Sequence, residues 1–194
     1  MATSHDFKLN GNWAITIPSS GMRIKTQVYQ TYAHMVDRTK AGSKVQAKKG
    51  NYVGCTNGFE GFQAFADWAT KQIGYGVPGY QLDKDLLVKG NKVYSPETCC
   101  FLPREINMAI IRDHSGKKSG LPIGVFCNGK NGLAAKINIH GKAVFLSSTP
   151  TSTEEDIAHL VQVYEEHKTA YLHALAIEHQ LNLDPRAFQA LMAL

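Results

Sequence analysis

The sequence predicts an α+β protein in two parts. Helices and a strand hairpin come first, and a three-stranded antiparallel sheet packed on one long helix follows. Three observations predict this. Apolar residues recur at helical spacing over residues 24–36 and 59–73. Residues 80–107 read as a strand, a loop with Gly90-Asn91 and Ser95-Pro96, a short strand and a helix. Residues 121–149 hold three short strand signals separated by Gly turns, ahead of a long amphipathic stretch.

The elements follow in order. Residues 1–20 are polar and read as a loose arm around a short strand at 13–15, with Asn10-Gly11-Asn12 and Pro18-Ser19-Ser20-Gly21 as turns. Val28, Tyr29, Tyr32, Met35 and Val36 define one helical face. Residues 37–51 carry Arg38, Lys40, Lys44, Lys48 and Lys49 with two glycines, and read as a basic loop. Asn57 and Glu60 have the spacing of a capping box. Phe59, Phe62, Ala66, Trp68, Ala69 and Ile73 form the next helical face, and such an aromatic stripe packs a core rather than stacking on bases. Gly74, Gly76, Pro78 and Gly79 end that helix. Pro103 suits the first turn of the helix that closes the hairpin, which buries Ile106 and Ile110 and fades by His114.

Residues 114–120 read as a flexible linker, which divides the chain into a domain at 1–113 and a domain at 121–194. In the second domain the strands fall at 123–127, 133–139 and 142–146, with turns at Asn128-Gly129, Asn131-Gly132 and His140-Gly141. Alternation puts Leu133, Ala135, Ile137 and Ile139 on one face and Ala134, Lys136 and Asn138 on the other. A helix from Ser152 or Thr153 to about residue 180 is the expected cover, because three strands cannot bury a face alone. Glu154, Glu155 and Asp156 in its first turn complement the helix dipole.

At 194 residues, 43% hydrophobic and 19% charged, the chain has the balance of an ordered globular protein. It has no apolar run long enough for a bilayer and no leader, so the expectation is a soluble protein of the cytoplasm, the host's if a phage encodes it, with no membrane partner. The net charge of +5 is uneven. Residues 1–50 hold eight Lys/Arg against two Asp/Glu, and residues 114–153 hold five against none. Residues 154–194 reverse this, with two against seven. Basic zones of this kind favour a polyanion partner. Cys55, Cys99, Cys100 and Cys127 lack metal-ligand spacing and read as buried thiols, with structural zinc as the alternative. His159, His167, His173 and His179 lie on the last long helix without a zinc-site spacing, and no histidine is expected to be catalytic.

The hairpin segment carries a resemblance. Leu82-Asp83-Lys84-Asp85, Tyr94-Ser95-Pro96-Glu97-Thr98-Cys99 and Asn107 resemble the HNH endonucleases, especially the homing-type enzymes of bacteriophages. That family's pattern is a strand with Asp-His, a loop ending in Tyr-x-Pro-Glu-Asn-Cys, and a helix with a further Asn or His. Tyr52-Val53-Gly54-Cys55 with Phe59, Phe62, Phe65 and Trp68 extends the likeness, which covers residues 24–113. The resemblance implies a ββα-metal fold in which Asp83 and Asn107 hold one magnesium or manganese ion against a phosphate of double-stranded DNA. It also implies a departure. Lys84 stands in place of the base histidine and Thr98 in place of the asparagine that orients it. A lysine, with an ordinary pKa of about 10, is a poor base at neutral pH. Lys84 is then either a phosphate clamp or a replacement base, and Lys84 and Thr98 are the catalytic candidates.

A second resemblance lies downstream. Gly124-Val125, Ala134-Ala135-Lys136-Ile137, Gly141-Lys142 and residues 151–158 resemble the Apetala-type DNA-binding domain of plant regulators. That domain lays a three-stranded sheet in the major groove. Where it carries arginine and tryptophan, this chain has Ile123, Phe126, Asn128, Leu133 and Phe145. The DNA-binding candidates are therefore Lys130, Lys136, Asn138 and Lys142, with Lys44, Lys48 and Lys49 of the basic loop. Two functions are carried forward: a phage-type HNH-like DNA endonuclease, and a catalytically silent HNH-fold protein that binds DNA or inhibits a host protein.

Overall fold

The structure is a computed structural model that describes residues 6–48, 52–110 and 120–194. It is a mixed α+β protein that divides into two compact units. Residues 1–103 with 181–190 form the first, and residues 104–180 with 191–194 form the second. Of the linker expected at 114–120, all but Gly120 lies outside the described residues, as do Lys49 and His114.

The first unit opens with two hairpins rather than a loose arm. Strands β1 (Lys8–Leu9) and β2 (Asn12–Trp13) pair antiparallel, as do β3 (Thr16–Ser19) and β4 (Met22–Lys25). Their two-residue turns, Asn10-Gly11 and Ser20-Gly21, all have positive φ, between 44° and 82°. That is the type I′ geometry whose twist suits a hairpin. The first hairpin is fastened to a later helix. The Trp13 indole donates to Asp67 at 2.9 Å, Lys8 pairs with the same carboxylate at 2.8 Å, and the Trp13 amide donates to Gln63 at 2.7 Å.

Helix α1 (Gln27–Thr39) starts after Thr26, whose hydroxyl accepts the amide of Tyr29. Its buried residues, Val28 and Met35, fall on the expected face. A short helix, α2 (Lys44–Lys48), stands where a loop was expected. Ser43 explains it: its hydroxyl accepts the Gln46 amide at 3.2 Å, which is a helix-starting bond. After β5 (Thr56–Asn57) comes α3 (Gly61–Ala69). The expected capping box is not made, because Asn57 Oδ1 accepts from Phe59 at 3.0 Å and Glu60 caps nothing with its side chain. The helix stops at Ala69, so Ile73 lies beyond it and is 45% exposed.

Strands β6 (Tyr80–Asp83), β7 (Val93–Tyr94) and β8 (Cys100–Pro103) follow. β6 and β8 pair antiparallel with Asp83 opposite Cys100, and β7 pairs parallel with β5. Pro103 ends β8 and is buried, instead of opening the next helix. The core of this unit is aromatic. Phe65 packs edge-on to Phe59 at 5.1 Å, and Trp68 stacks on Phe101 at 6.1 Å.

The second unit holds α4 (Arg104–Ala109), β9 (Val125–Asn128), β10 (Gly132–Ile139), β11 (Lys142–Thr149) and α5 (Glu154–Glu178). The strands form one antiparallel sheet in the order β11-β10-β9, packed on α5. Val125, Leu133 and Ala135 bury against Leu160 of that helix. α5 begins at a complete capping box between Thr153 and Asp156. Ala134 is buried as well, although alternation gives it the other face. Its methyl lies between larger register partners, Phe126 and Ser148. Glu105 of α4 accepts the Tyr171 hydroxyl and lies 2.8 Å from His140 Nδ1, while the His140 amide donates to Tyr171 at 2.9 Å. The β10–β11 turn is thereby tied to α4 and α5. A last helix, α6 (Pro185–Met192), was not foreseen. It starts at Asp184, whose Oδ1 accepts the Arg186 amide at 2.8 Å. Among the described residues, no helix is long and apolar enough to cross a membrane.

One glycine in the second unit is tightly constrained. A Cβ on Gly124 would stand 2.2 Å from the Tyr164 ring, at a φ of +82°. Gly124→Ala is therefore expected to destabilise the protein by about 2 kcal/mol or more, read as a lower urea midpoint. An unchanged midpoint would mean that Tyr164 does not close over this turn.

Candidate functional site

The site in the first unit is built on the turn that leaves β6. Asp83, the last residue of that strand, is only 6% exposed. Its Oδ2 accepts the amides of Asp85 and Leu86, each at 2.9 Å. One carboxylate oxygen thus closes the turn, and Oδ1 takes part in neither bond. Burial holds the Asp83 carboxyl above its ordinary range, and nearby Asp85 adds to this. The two amides and Lys84 act in the opposite direction without overcoming it.

Lys84 is 3% exposed. Its ammonium donates to the carboxylate of Asp85 and, at 3.1 Å, to the carbonyl of Asn91. It also lies 5.7 Å from the Tyr94 ring centroid. Its donors are therefore directed at the protein's own loop. Asn91 fastens that loop from both sides. Its amide donates to the carbonyls of Lys84 at 2.8 Å and Val93 at 2.7 Å, and its Oδ1 accepts the Val93 amide at 3.0 Å.

Thr98 closes the other end. Its hydroxyl donates to the Val93 carbonyl at 2.7 Å and accepts the Ser95 amide at 3.1 Å. Its contacts are those of a loop support. Arg186 grips the same loop, donating to the carbonyls of Pro96, Glu97 and Cys99 at 3.3–3.4 Å while paired with Asp184 at 2.7 Å. The Cys99 thiol, buried beneath, is pushed up to about 12 by desolvation. Cys55 and Cys100 are buried too, but Cys127 on edge strand β9 is exposed, against expectation.

Arg38 belongs to this neighbourhood. Burial works against its charge, but Tyr94, Tyr52 and Asp83 outweigh that and raise its pKa further. Its guanidinium lies 5.2 Å from the Tyr52 ring centroid. By composition Arg38 belongs to the basic loop at 37–51, but it lies within α1. The signal was present, since Arg38 follows Met35 by three residues and continues the buried face of α1.

The remaining candidates are scattered. Asn107 lies half-buried on α4, in the second unit, whereas Asp83 belongs to the first. Lys44 is exposed at the start of α2, and Lys48 ends that helix. Lys130 is exposed in the β9–β10 turn. Lys136 and Asn138 are exposed on β10. Lys142 is the register partner of Ile139, so the pleat turns it to the opposite side from Lys136 and Asn138. Leu133 is core rather than DNA-facing. As donors, the Asp83 carboxylate and the Asn107 amide oxygen are hard ligands suited to magnesium or manganese. Among the described residues, no group of three His, Cys, Asp or Glu side chains is arranged to hold a metal.

The raised pKa of Asp83 has a sign. Between its unfolded and folded values, the folded chain keeps a proton that the unfolded chain has lost. The stability from this group is present at acid pH and disappears as pH rises through the folded value. Asp83→Asn keeps an oxygen for both amides and removes the buried charge. It is expected to raise the urea midpoint at neutral pH, with the advantage shrinking as pH falls through the carboxylate range. A less stable variant at neutral pH would show that the charge itself holds the turn.

No protein-family model, no curated protein and no solved structure matches this chain.

Proposed function

We propose that this chain is a DNA-binding protein whose HNH-like hairpin is catalytically silent. The observation that carries the reading is the engagement of Lys84. At the position where the resemblance implies a base, the ammonium is buried and spent on Asp85 and the Asn91 carbonyl. A buried amine so held is directed at its own loop and away from an incoming water or phosphate. Thr98, in the place of the orienting amide, serves the loop. DNA as the partner is supported by the basic stretches, above all residues 114–153, which hold five Lys/Arg and no acid.

A second reading, a metal-dependent HNH-like endonuclease, is favoured by one observation. Asp83 keeps a buried carboxylate whose Oδ1 takes no part in closing the turn. Under it, the Asp83 carboxylate would supply a ligand to one magnesium or manganese ion, which supplies charge stabilisation at the scissile phosphate.

One experiment separates the two. The full chain is incubated with long duplex DNA and magnesium or manganese, then assayed for nicks and for mobility shift across a salt series. The expected result is a shift that weakens steeply with salt, and no cleavage. Cleavage lost in both Asp83→Ala and Asn107→Ala would replace the silent reading with the endonuclease. No DNA affinity at low salt would remove both and leave inhibition of a host protein. If the silence lies at positions 84 and 98, the double variant Lys84→His with Thr98→Asn is expected to gain nicking activity that the natural chain lacks.

A further inference from the structure

We infer that the solvent face of the β9–β11 sheet is a platform for single-stranded nucleic acid, with Phe145 as the residue on which a base stacks. This rests on the DNA-binding reading above and goes beyond it in form and in contact. Phe145 is 59% exposed on β11, an edge strand of the sheet. It stands directly opposite Lys136 of β10, so both side chains share the face turned away from α5. Phe126 of β9 is half-buried on that face, and the Lys136 ammonium lies 4.5 Å from its ring centroid. The three residues make a row across the sheet, with a ring on each outer strand and a cation between.

The floor around the row is low. Ala134, Ala143 and Ser148 take the same face, so the Phe145 ring stands clear of its neighbours. Charge selects the occupant. Lys136 lies on this face and Lys130 in the turn at its end, while residues 120–153 hold no Asp or Glu. A cationic, acid-free surface suits a polyanion, and an apolar protein partner has no use for it.

The rings select the form. Duplex bases stack on each other and present only edges, which are read by hydrogen-bonding side chains. A phenylalanine ring offers no donor or acceptor. It suits the open face of an unpaired base, with a lysine beside it for the adjoining phosphate. Asn138, exposed on the same face of β10, is left for a base edge.

The test uses the full chain with a fluorescent mixed-sequence oligonucleotide and the matching duplex, followed by anisotropy. The single strand is expected to bind more tightly than the duplex. Phe145→Ala is expected to weaken single-strand binding about ten-fold and leave duplex binding within about two-fold. Lys136→Gln is expected to weaken both and to lower the salt dependence. Because Phe145 is exposed, its alanine variant is expected to keep the parent's circular dichroism and urea midpoint; Phe145→Tyr, which retains the ring, is expected to restore affinity. Three outcomes would overturn the inference. Equal or tighter duplex binding, unaffected by Phe145→Ala, removes this face and leaves the DNA-binding reading intact. An equal loss of both substrates in Phe145→Ala makes the face a duplex contact. No binding of either oligonucleotide at low salt removes the inference together with the reading beneath it.

Discussion

Two adjacent charges buried at the end of one strand govern the first unit. Asp83 and Lys84 are almost wholly removed from solvent, and burying an ion is expensive unless it is paired and hydrogen-bonded. The loop from residue 84 to 99 supplies those partners. Backbone amides of Asp85 and Leu86 meet Asp83, while the Asp85 carboxylate and the Asn91 carbonyl meet Lys84. For those groups to be in place the loop must hold one conformation, and Asn91, Thr98 and Arg186 fix it from three sides. The position of β7 beside β5, and of β8 beside β6, follows from that fixed path.

Much of this was legible in the sequence because it is periodic or punctuated. The second unit is the clear case. Three alternating strands with Asn-Gly and His-Gly turns leave few other solutions, and the long helix that covers them begins at its own capping signal, Thr153 with Asp156. Of the expected aromatic face, Phe59, Ala66 and Ala69 are core and Phe62 and Trp68 pack against it, while Phe65, outside that pattern, is core as well. What was missed depends on single hydrogen bonds that compete locally. Asn57 prefers an Asx turn to a capping box. Ser43 converts part of a basic stretch into α2. Asp184 does the same for α6, in a stretch with little apolar length to betray it. None of these choices changes the hydrophobic pattern, which is the property that sequence periodicity reports.

The site divides the same way. The motif residues could be picked out by type and spacing, but not their roles, because the roles depend on burial. Lys84 reads as a free cation in the sequence and is an internal one in the fold. Arg38 reads as one of several loop lysines and arginines, yet it sits with Tyr52 and Tyr94 beside the hairpin. On the sheet, Lys136 and Lys142 look equivalent in the sequence. The register separates them to opposite sides and brings Lys136 instead between two phenylalanines.

Arg38 also bears on whether the hairpin acts on phosphates. Closing the turn after β6 requires an oxygen at position 83, and an amide would serve as well as a carboxylate. The negative charge must answer to something else. One candidate is an external cation. The other is Arg38, on which Asp83 acts at a distance and less than Tyr94 and Tyr52 do. These two uses oppose each other. A divalent ion at Oδ1 would bring like charge towards a guanidinium that the protein has itself partly desolvated, and repulsion in such surroundings is poorly screened. The Lys84 charge is answered within the chain, by the Asp85 carboxylate and the Asn91 carbonyl. A buried cation so held shapes the loop around it. On the function proposed above, the hairpin would serve as architecture and binding would fall to surfaces where lysine is in excess.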